Sequence, residues 1–300
     1  MLTNFKELEN YVLSQNMKKR IALANAHDEP ALSAVVNARR KGVVEGTLVG
    51  KKDEIIAMLH EMGESENDYE IVDFDGEELE AAKIAVQLVR EGKADIPMKG
   101  ILQTSNFARA ILNKETGLIP TGGRRLVSQC GIFEYEGRFV MITDAAINIA
   151  PDVETQIGIV ENALPVARAL GIDCPKVAVL SAVENVTDKM PSTVSAKAIA
   201  ERGVEGCVIS GPLALDGAIS MESVKHKAIH DPVAGQADIL LVPFIEIGNV
   251  LYKACTYIAG KTMASTICGA SCPVIITSRA DTPDSKYYSI LMAVLRCLKA

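Results

Sequence analysis

Several features that would place this chain in a familiar class are missing from its sequence. No apolar run reaches the ~18–20 residues that a membrane-spanning helix needs. The longest run, "ADILLVPFIEIGNVL", is interrupted by Pro243 and Glu246. The amino terminus, "MLTNFKELEN", has mixed charge and lacks the apolar core of a signal peptide. We therefore expect a cytoplasmic protein that does not enter a membrane.

Positive charge is also in short supply. The chain has 31 Lys and Arg residues against 38 Asp and Glu residues, a net charge of −7. Because nucleic-acid binding depends on a basic surface, a nucleic acid is not an expected partner. Local basic clusters could still hold small anions.

The cysteines form no Cys-x-x-Cys pair, and their number, seven, is odd. This usage predicts reduced thiols in a cytosolic protein. We expect most of them to be small core residues. The seven are Cys130, Cys174, Cys207, Cys255, Cys268, Cys272 and Cys297.

Common catalytic signatures are absent as well. The sequence contains no Gly-x-Gly-x-x-Gly, no Walker loop, no Gly-x-Ser-x-Gly and no His-Glu-x-x-His. His226 and His230 are four residues apart and could share a helix face, but a metal would need further ligands. We therefore expect structural or solvated histidines and no metal site.

What is present is a long alternation of short β-branched runs and amphipathic segments. With 300 residues, of which 48% are hydrophobic, two domains of about 150 residues are expected. The first part alternates strand and helix from "KRIALANA" to "TSNFARAILNK". Such alternation predicts a parallel sheet covered by helices on both faces.

The middle of the chain breaks this alternation. In "QCGIFEYEGRFVMITDAA", two strand patterns flank Glu136-Gly137, a hairpin signal. Antiparallel pairing at this point predicts the entry to a second α/β domain.

The stretch "PVIITSRADTPDSKYYSILMAVL" presents an apolar run that stops at Ser278-Arg279. Ligands of open parallel sheets collect at the carboxyl ends of the strands. Arg279 could bind an anion through two hydrogen bonds, and the following helix would add amide donors. The alternative is an ordinary turn, with Asp281 or Asp284 as the helix cap and a solvated Arg279.

A second basic segment is "IPTGGRRLVSQ". Gly122-Gly123 would let the backbone approach a ligand closely, and Arg124-Arg125 would supply charge for a phosphate. The alternative is a surface turn with two solvated arginines. By pattern alone, Arg109 in "TSNFARAIL" is a surface charge on a helix.

Three long stretches in order, "SGPLALDGAIS", "DPVAGQADILLVPFIEIGNVLYK" and "PVIITSRADTPDSKYYSI", resemble the phosphate acetyl/butyryltransferase family, most closely its butyryltransferase branch. The likeness extends to "TSNFARAIL" and "MITDAAINIAPD". It implies transfer of a short acyl group, butyryl or branched, between coenzyme A and inorganic phosphate, without a metal or redox cofactor.

The resemblance also implies an architecture. It predicts two three-layer α/β/α domains with a cleft between them, like isocitrate and isopropylmalate dehydrogenases, in a homodimer or higher oligomer. Residues 1–131 with 266–300 would form the domain that carries the Ser-Arg motif. Residues 132–265 would form the second domain, with the subunit interface.

The resemblance assigns roles to individual residues. Ser278 and Arg279 match the family's Ser-Arg pair, and Arg109 matches its helix arginine. Its second arginine falls on Arg124 or Arg125, and Lys227 would contact phosphates of coenzyme A.

The family's proposed base is an aspartate seven positions after the motif serine. That position is Ser285 here, so Asp284, one residue earlier, is the candidate base. Two alternatives remain open, a dehydrogenase of the related fold and a non-catalytic module that binds coenzyme A. Acetyl transfer is the alternative within the family.

Overall fold

The computed structural model describes residues 1–120, 122, 124–277 and 281–299. Its contacts divide the chain into two compact units. We call residues 5–125 and 264–300 the terminal unit, and residues 1–4 and 126–263 the central unit. The predicted domain limits, at 131/132 and 265/266, stay a prediction. Within the described ranges, no helix is long and apolar enough to cross a bilayer.

Helices and strands alternate along most of the chain. The helices are α1 (Phe5–Ser14), α2 (Glu29–Arg40), α3 (Lys52–Glu61), α4 (Glu78–Arg90), α5 (Thr104–Ile111), α6 (Val153–Ala169), α7 (Pro191–Arg202), α8 (Leu215–Ile219), α9 (Met221–Lys227), α10 (Ile245–Lys253) and α11 (Pro283–Lys299). The strands are β1 (Lys19–Ala24), β2 (Val44–Gly50), β3 (Glu70–Asp73), β4 (Ile96–Lys99), β5 (Ser128–Tyr135), β6 (Arg138–Thr143), β7 (Lys176–Leu180), β8 (Val208–Leu213), β9 (Ile239–Leu241) and β10 (Met263–Cys268). A π-helical turn, Ala254–Ile258, continues α10.

The terminal unit contains a parallel sheet in the order β3-β2-β1-β4. Residues 21–24 of β1 are fully buried on both faces, as a strand covered by helices requires. The predicted parallel α/β arrangement is therefore confirmed.

The strand predicted over "PVIITSR" is wrong in extent. Val274 and Ile275 form only isolated bridges, of which the parallel one joins Ile275 to Met98 in β4. The Ile275 N–H donates to the Pro97 carbonyl, and the Lys99 N–H donates to the Ile275 carbonyl, both at 3.0 Å. The pairing with Ile275 therefore lies at the carboxyl end of β4, which ends at Lys99.

The central unit contributes five strands to a mixed sheet. They lie in the order β5-β6-β9-β7-β8. β5 and β6 form the predicted antiparallel hairpin. Its turn residues, Glu136 and Gly137, have φ angles of 47° and 75°, as a tight hairpin turn of this kind requires. From β6 onward the pairing is parallel.

Helix α1 and strand β10 were not predicted from the sequence. Helix α1 buries Phe5, Leu8 and Val12 on one face and packs against α11.

A buried carboxylate joins α1 to the rest of the terminal unit. Glu9 accepts hydrogen bonds from Lys6 at 2.9 Å, Lys41 at 3.0 Å and the Tyr287 hydroxyl at 2.9 Å. Burial alone would raise the pKa of Glu9, but these three donors outweigh it and lower the pKa to about 2. Glu9 therefore links α1, the end of α2 and α11.

Replacing this carboxylate tests the link. Glu9→Gln removes the charge at constant shape and should cost on the order of 1–3 kcal/mol of unfolding free energy at pH 7. Since the folded pKa lies below the ordinary value, the contribution is complete above that value and disappears as the pH falls towards 2. Urea unfolding between pH 7 and pH 3 should show the two proteins converging.

The exposed Glu61 on α3 supplies the control, because Glu61→Gln should leave the unfolding free energy within about 0.5 kcal/mol. An equal loss in both variants, or a Glu9→Gln loss that does not change with pH, would contradict the assignment.

Candidate active site

The strand order of the terminal sheet reverses between β1 and β4. From β1 the chain proceeds outward to β2 and β3, whereas β4 returns to the opposite side of β1. The connections that leave these two carboxyl ends, residues 25–28 and 100–103, start side by side. The first leads towards β2 on the other side of β1, and the second leads to α5, the helix after β4. In open α/β sheets, ligands bind at such a point.

The two connections are held tightly together. The Ile101 N–H donates to the Asn25 carbonyl at 3.1 Å, and the Asn25 side-chain amide donates back to the Ile101 carbonyl at 3.1 Å. A Cβ on Gly100 would lie 2.3 Å from the Asn25 carbonyl oxygen. Position 100 therefore requires glycine, since any side chain would push the connections apart.

Two polar side chains at this edge were not singled out from the sequence. Lys99 is only 7% exposed, and its side-chain nitrogen donates to the carbonyl oxygens of Gly100 at 3.2 Å and Leu102 at 3.0 Å. His27 follows β1, and its Nδ1 is buried without a hydrogen-bond partner among the residues described. In the sequence, Lys99 is marked only by its position directly after an apolar run and before Gly100.

The chain that leads to the Ser-Arg motif reaches the same edge. Ile275 runs parallel to β4 at Met98, and Thr277 is buried. The predicted catalytic residues Ser278 and Arg279 lie outside the described residues. Gly123 of the predicted glycine pair does too.

The residue that caps the start of α11 is neither of the two aspartates predicted from the sequence. The Thr282 hydroxyl accepts a hydrogen bond from the Ser285 N–H at 3.1 Å and so caps α11. The suggestion that Asp281 or Asp284 provides the cap is therefore wrong. Asp284, the predicted base, is exposed on the first turn, whereas Ser285 beside it is buried.

A second buried lysine lies on the first turn of α11. The Lys286 side chain is 3% exposed and donates to the Asp281 carbonyl oxygen. Burial lowers the pKa of Lys286, while the negative charges of Asp281, Asp28 and Glu29 oppose that shift. Lys286 thus holds the residue that immediately follows the 278–280 segment.

Arg109 and Arg125 line one surface cavity of about 590 Å³, with four residues from the end of α5 and the connection after it: Leu112, Asn113, Lys114 and Glu115. The Arg125 guanidinium donates to the Leu112 carbonyl at the carboxyl end of α5. Arg124 is exposed and is not among the lining residues. Of the two adjacent arginines, the geometry brings Arg125 to Arg109.

Lys227 belongs to the central unit, at the end of α9. Its side-chain nitrogen lies 2.9 Å from Asp216 and 3.1 Å from Glu184. The hydrogen bonds that Lys227 donates to these two carboxylates raise the pKa of Lys227. An anion that binds Lys227 would therefore compete with two acidic side chains.

The segment "MITDAAINIAPD" is organised by one buried aspartate. Asp144 Oδ1 accepts from the Gln129, Ala146 and Ile147 N–H groups at 2.9–3.1 Å. Its other oxygen accepts from the Asn148 N–H at 3.0 Å and from the Asn148 side chain at 2.6 Å. Burial raises the pKa of Asp144, and these bonds offset part of that rise. The residue shapes this loop of the central unit.

The cysteines are free thiols, but the expectation that most are core residues is wrong. Only Cys130 and Cys268 are fully buried. Partial burial nonetheless raises the pKa of Cys207 to about 11 and that of Cys272 to about 12, which suppresses their thiolates.

The two histidines do not share a helix face. Helix α9 ends at Lys227, and Ala228 takes a left-handed conformation before His230. Over the described ranges, no group of three or more His, Cys, Asp or Glu side chains could hold a metal ion.

Comparison with known proteins places the chain among acyltransferases. The family model described as phosphate acetyl/butaryl transferase matches residues 77–294. The chain is 44% identical over 301 residues to a phosphate butyryltransferase of Clostridium acetobutylicum, covering 98% of each chain. It is 37% identical over 287 residues to a phosphate acetyltransferase of Thermotoga maritima, covering 94% of this chain and 97% of the other.

A solved structure extends the likeness to three dimensions. A branched-chain phosphotransacylase from Enterococcus faecalis superposes with a TM-score of 0.83 at 35% identity. The match covers 93% of this chain and 99% of the other. The chain belongs to the phosphate acetyl/butaryl transferase family, and the resemblance read from its motifs is confirmed.

Proposed function

We propose that the protein transfers an acyl group from acyl-CoA to inorganic phosphate and releases acyl phosphate and coenzyme A. The observation that carries the proposal is the 44% identity over nearly the whole chain to a phosphate butyryltransferase. The structural likeness to a branched-chain phosphotransacylase supports butyryl or a short branched acyl group as the preferred substrate. The acetyltransferase from Thermotoga maritima keeps acetyl as the second candidate.

The proposed architecture gives each compact unit a role. We propose that the terminal and central units are two α/β domains of the isocitrate and isopropylmalate dehydrogenase type. The parallel sheet of the terminal unit and the mixed sheet of the central unit support this proposal.

The chemistry requires phosphate to be held against a thioester. A phosphate oxygen attacks the carbonyl carbon, an oxyanion forms, and the C–S bond breaks to release the thiolate of coenzyme A. Arg279 would bind phosphate through two hydrogen bonds and orient it. Ser278 would donate to the oxyanion or to the leaving sulfur, a contribution typically worth ~10²–10³ in rate.

Proton transfer to the thiolate is assigned to Asp284. A thiol with a pKa near ~8.5 is a poor match for an ordinary carboxyl of ~3.9. Because Asp284 is exposed, closure of the site would have to desolvate it before it could serve as a general acid or base. The proposed reaction uses no metal and no redox cofactor, and its partners are acyl-CoA and phosphate alone.

The cationic cavity and Lys227 are assigned to substrate binding. Arg109 and Arg125 line one cavity, and Lys114 adds a third positive charge to it. Three cations around a single cavity suit the phosphate groups of the substrates. We assign Arg124 a smaller contribution to substrate binding. Lys227 would contact coenzyme A in place of its ion pairs with Glu184 and Asp216.

The function is tested by release of free thiol from acetyl-, butyryl- and isobutyryl-CoA, with and without phosphate. We expect release to depend on phosphate and to be faster with butyryl- or isobutyryl-CoA than with acetyl-CoA. One methylene in an apolar pocket is worth ~1–3 kcal/mol, so the preference should be at least about tenfold. A folded protein without any release would contradict the proposal, and coenzyme A titration would then test a binding module.

The adjacent arginines provide a matched pair of variants. Arg125→Ala should raise the KM for acyl-CoA at least about tenfold, because it removes a charge from the cavity that Arg109 lines. Arg124→Ala removes the same charge one residue away and should change this KM less than about threefold. Equal effects in steady-state kinetics, or a larger effect at Arg124, would contradict the assignment.

We further propose a cytoplasmic homodimer joined through α10. Among the residues of α10 only Gly248 is buried. Apolar side chains stand exposed along this helix and its π-helical continuation: Phe244, Ile247, Val250, Tyr257 and Ile258. A second copy of the chain would cover this face, because a contiguous exposed apolar patch marks an interaction site and most oligomers are formed by identical chains.

Sedimentation measures the oligomeric state directly. The unmodified protein should sediment at about twice the 32.1 kDa chain mass. Val250→Asp places a charge on the face and should shift the population towards the monomer, whereas Val194→Asp alters an equally apolar, exposed position on α7 and should not. A monomeric wild-type protein, or a dimer unaffected by Val250→Asp, would contradict the interface.

A further inference from the structure

We propose that Glu184 and Asp216 set the specificity of the coenzyme A site, because they serve as internal counter-ions of Lys227. The inference rests on the proposed function, in which Lys227 contacts coenzyme A. A phosphate group of coenzyme A displaces the two carboxylates, whereas free inorganic phosphate, the second substrate, does not. Neither carboxylate is among the site residues predicted from the sequence.

The first support is the position of the three side chains in the central unit. Glu184 follows β7 and Asp216 follows β8, so both carboxylates lie beyond the carboxyl ends of two neighbouring parallel strands. Lys227, the last residue of α9, reaches both of them. Ligands of α/β sheets bind at the carboxyl ends of the strands, so these ion pairs lie where a ligand is expected.

The second support is the balance of charge around the lysine. Lys227 Nζ lies 2.9 Å from Asp216 and 3.1 Å from Glu184. The hydrogen bond from Lys227 lowers the pKa of Asp216, which keeps this carboxylate ionised at neutral pH. Two carboxylates against one ammonium group leave an excess of negative charge, which opposes the approach of a free anion.

The third support is that the ion pairs are accessible and yet held in place. The side chains of Lys227, Asp216 and Glu184 are 39%, 48% and 31% exposed, so a ligand can reach the lysine. A Cβ on Gly217 would lie 3.0 Å from Glu184 Oε1, so this carboxylate packs against the backbone of α8. A counter-ion that is already positioned loses little entropy when it pairs with Lys227, and it competes well with a ligand.

The competition discriminates between the two substrates. Coenzyme A carries its phosphates to Lys227 on a larger ligand that other contacts also hold, so their effective concentration at the lysine is high. Inorganic phosphate has to displace the same carboxylates at its free concentration. Free phosphate bound at Lys227 would block coenzyme A, and the two carboxylates prevent this.

An ion pair with a purely structural role would behave differently. Through Lys227, the two carboxylates also join the segment after β7 to α8 and α9. Loosening of this connection would weaken the binding of a ligand, whereas loss of a competing counter-ion strengthens it. The direction of the change in coenzyme A affinity therefore separates the two roles.

The binding test neutralises the carboxylates at constant shape. Glu184→Gln removes one charge and keeps an oxygen that accepts from Lys227. We expect the Kd for coenzyme A, measured by isothermal titration calorimetry in phosphate-free buffer, to fall about twofold to fivefold, because single exposed ion pairs are weak. Asp216→Asn should act in the same direction, and the double variant should lower the Kd about tenfold. An unchanged or raised Kd in these variants would overturn the inference.

The effect must depend on Lys227. In a Lys227→Met background, the same double neutralisation should change the Kd less than about twofold, since the residues act through the lysine. Glu201→Gln is the matched control, because this exposed carboxylate of α7 pairs with Lys197 instead, and it should leave the Kd unchanged. A tenfold fall with and without Lys227 would show a general effect of charge and would overturn the inference.

Steady-state kinetics test the discrimination between the substrates. At constant ionic strength, inorganic phosphate should act as a competitor of butyryl-CoA in the double variant and raise its KM at least about threefold. In the wild-type protein the same phosphate concentrations should raise this KM less. An equal dependence on phosphate in the two proteins would overturn the inference.

If the variants do not fold, the wild-type protein still provides a test. Labelling with acetic anhydride, followed by mass spectrometry, should show Lys227 protected by coenzyme A and not by inorganic phosphate. Equal protection by both ligands would overturn the inference. A folded wild-type protein that releases no thiol in the presence of phosphate would instead reject the proposed function, so the two failures are distinguishable.

Discussion

The candidate site depends on how closely the chain packs where β1 and β4 end. Gly100 lies against the Ala24 and Asn25 carbonyl groups with no room for a Cβ, and the Asn25 amide closes the contact through Ile101. This packing fixes the end of β4, beside which Ile275 continues towards the Ser-Arg motif. A backbone constraint of this kind gives the polar groups at the edge a defined spacing.

Charge at this edge contrasts with the acidic chain as a whole. The net charge is −7, yet the terminal unit places Lys99 at the end of β4 and gathers Arg109, Lys114 and Arg125 around one cavity. Local cationic groups of this kind attract phosphate and the phosphates of coenzyme A, whereas the acidic remainder disfavours nucleic acids. The net charge and the local charge thus select different partners.

Sequence reasoning recovered the features that depend on local pattern. The alternation of strands and helices predicted the parallel sheet, and Glu136-Gly137 predicted the hairpin. It did not identify Thr282 as the cap of α11, because Asp281 and Asp284 beside it are equally suitable residue types. The burial of Lys99 could not be predicted in the same way, because it arises from the strand order and from the packing at the end of β4.

The central claim is that phosphate receives the acyl group. The most direct measurement is ³¹P NMR of the protein with butyryl-CoA and inorganic phosphate. The account predicts that the phosphate resonance is replaced by that of an acyl phosphate, in step with the release of free thiol. Thiol release with an unchanged phosphate resonance would show hydrolysis instead and would contradict the account.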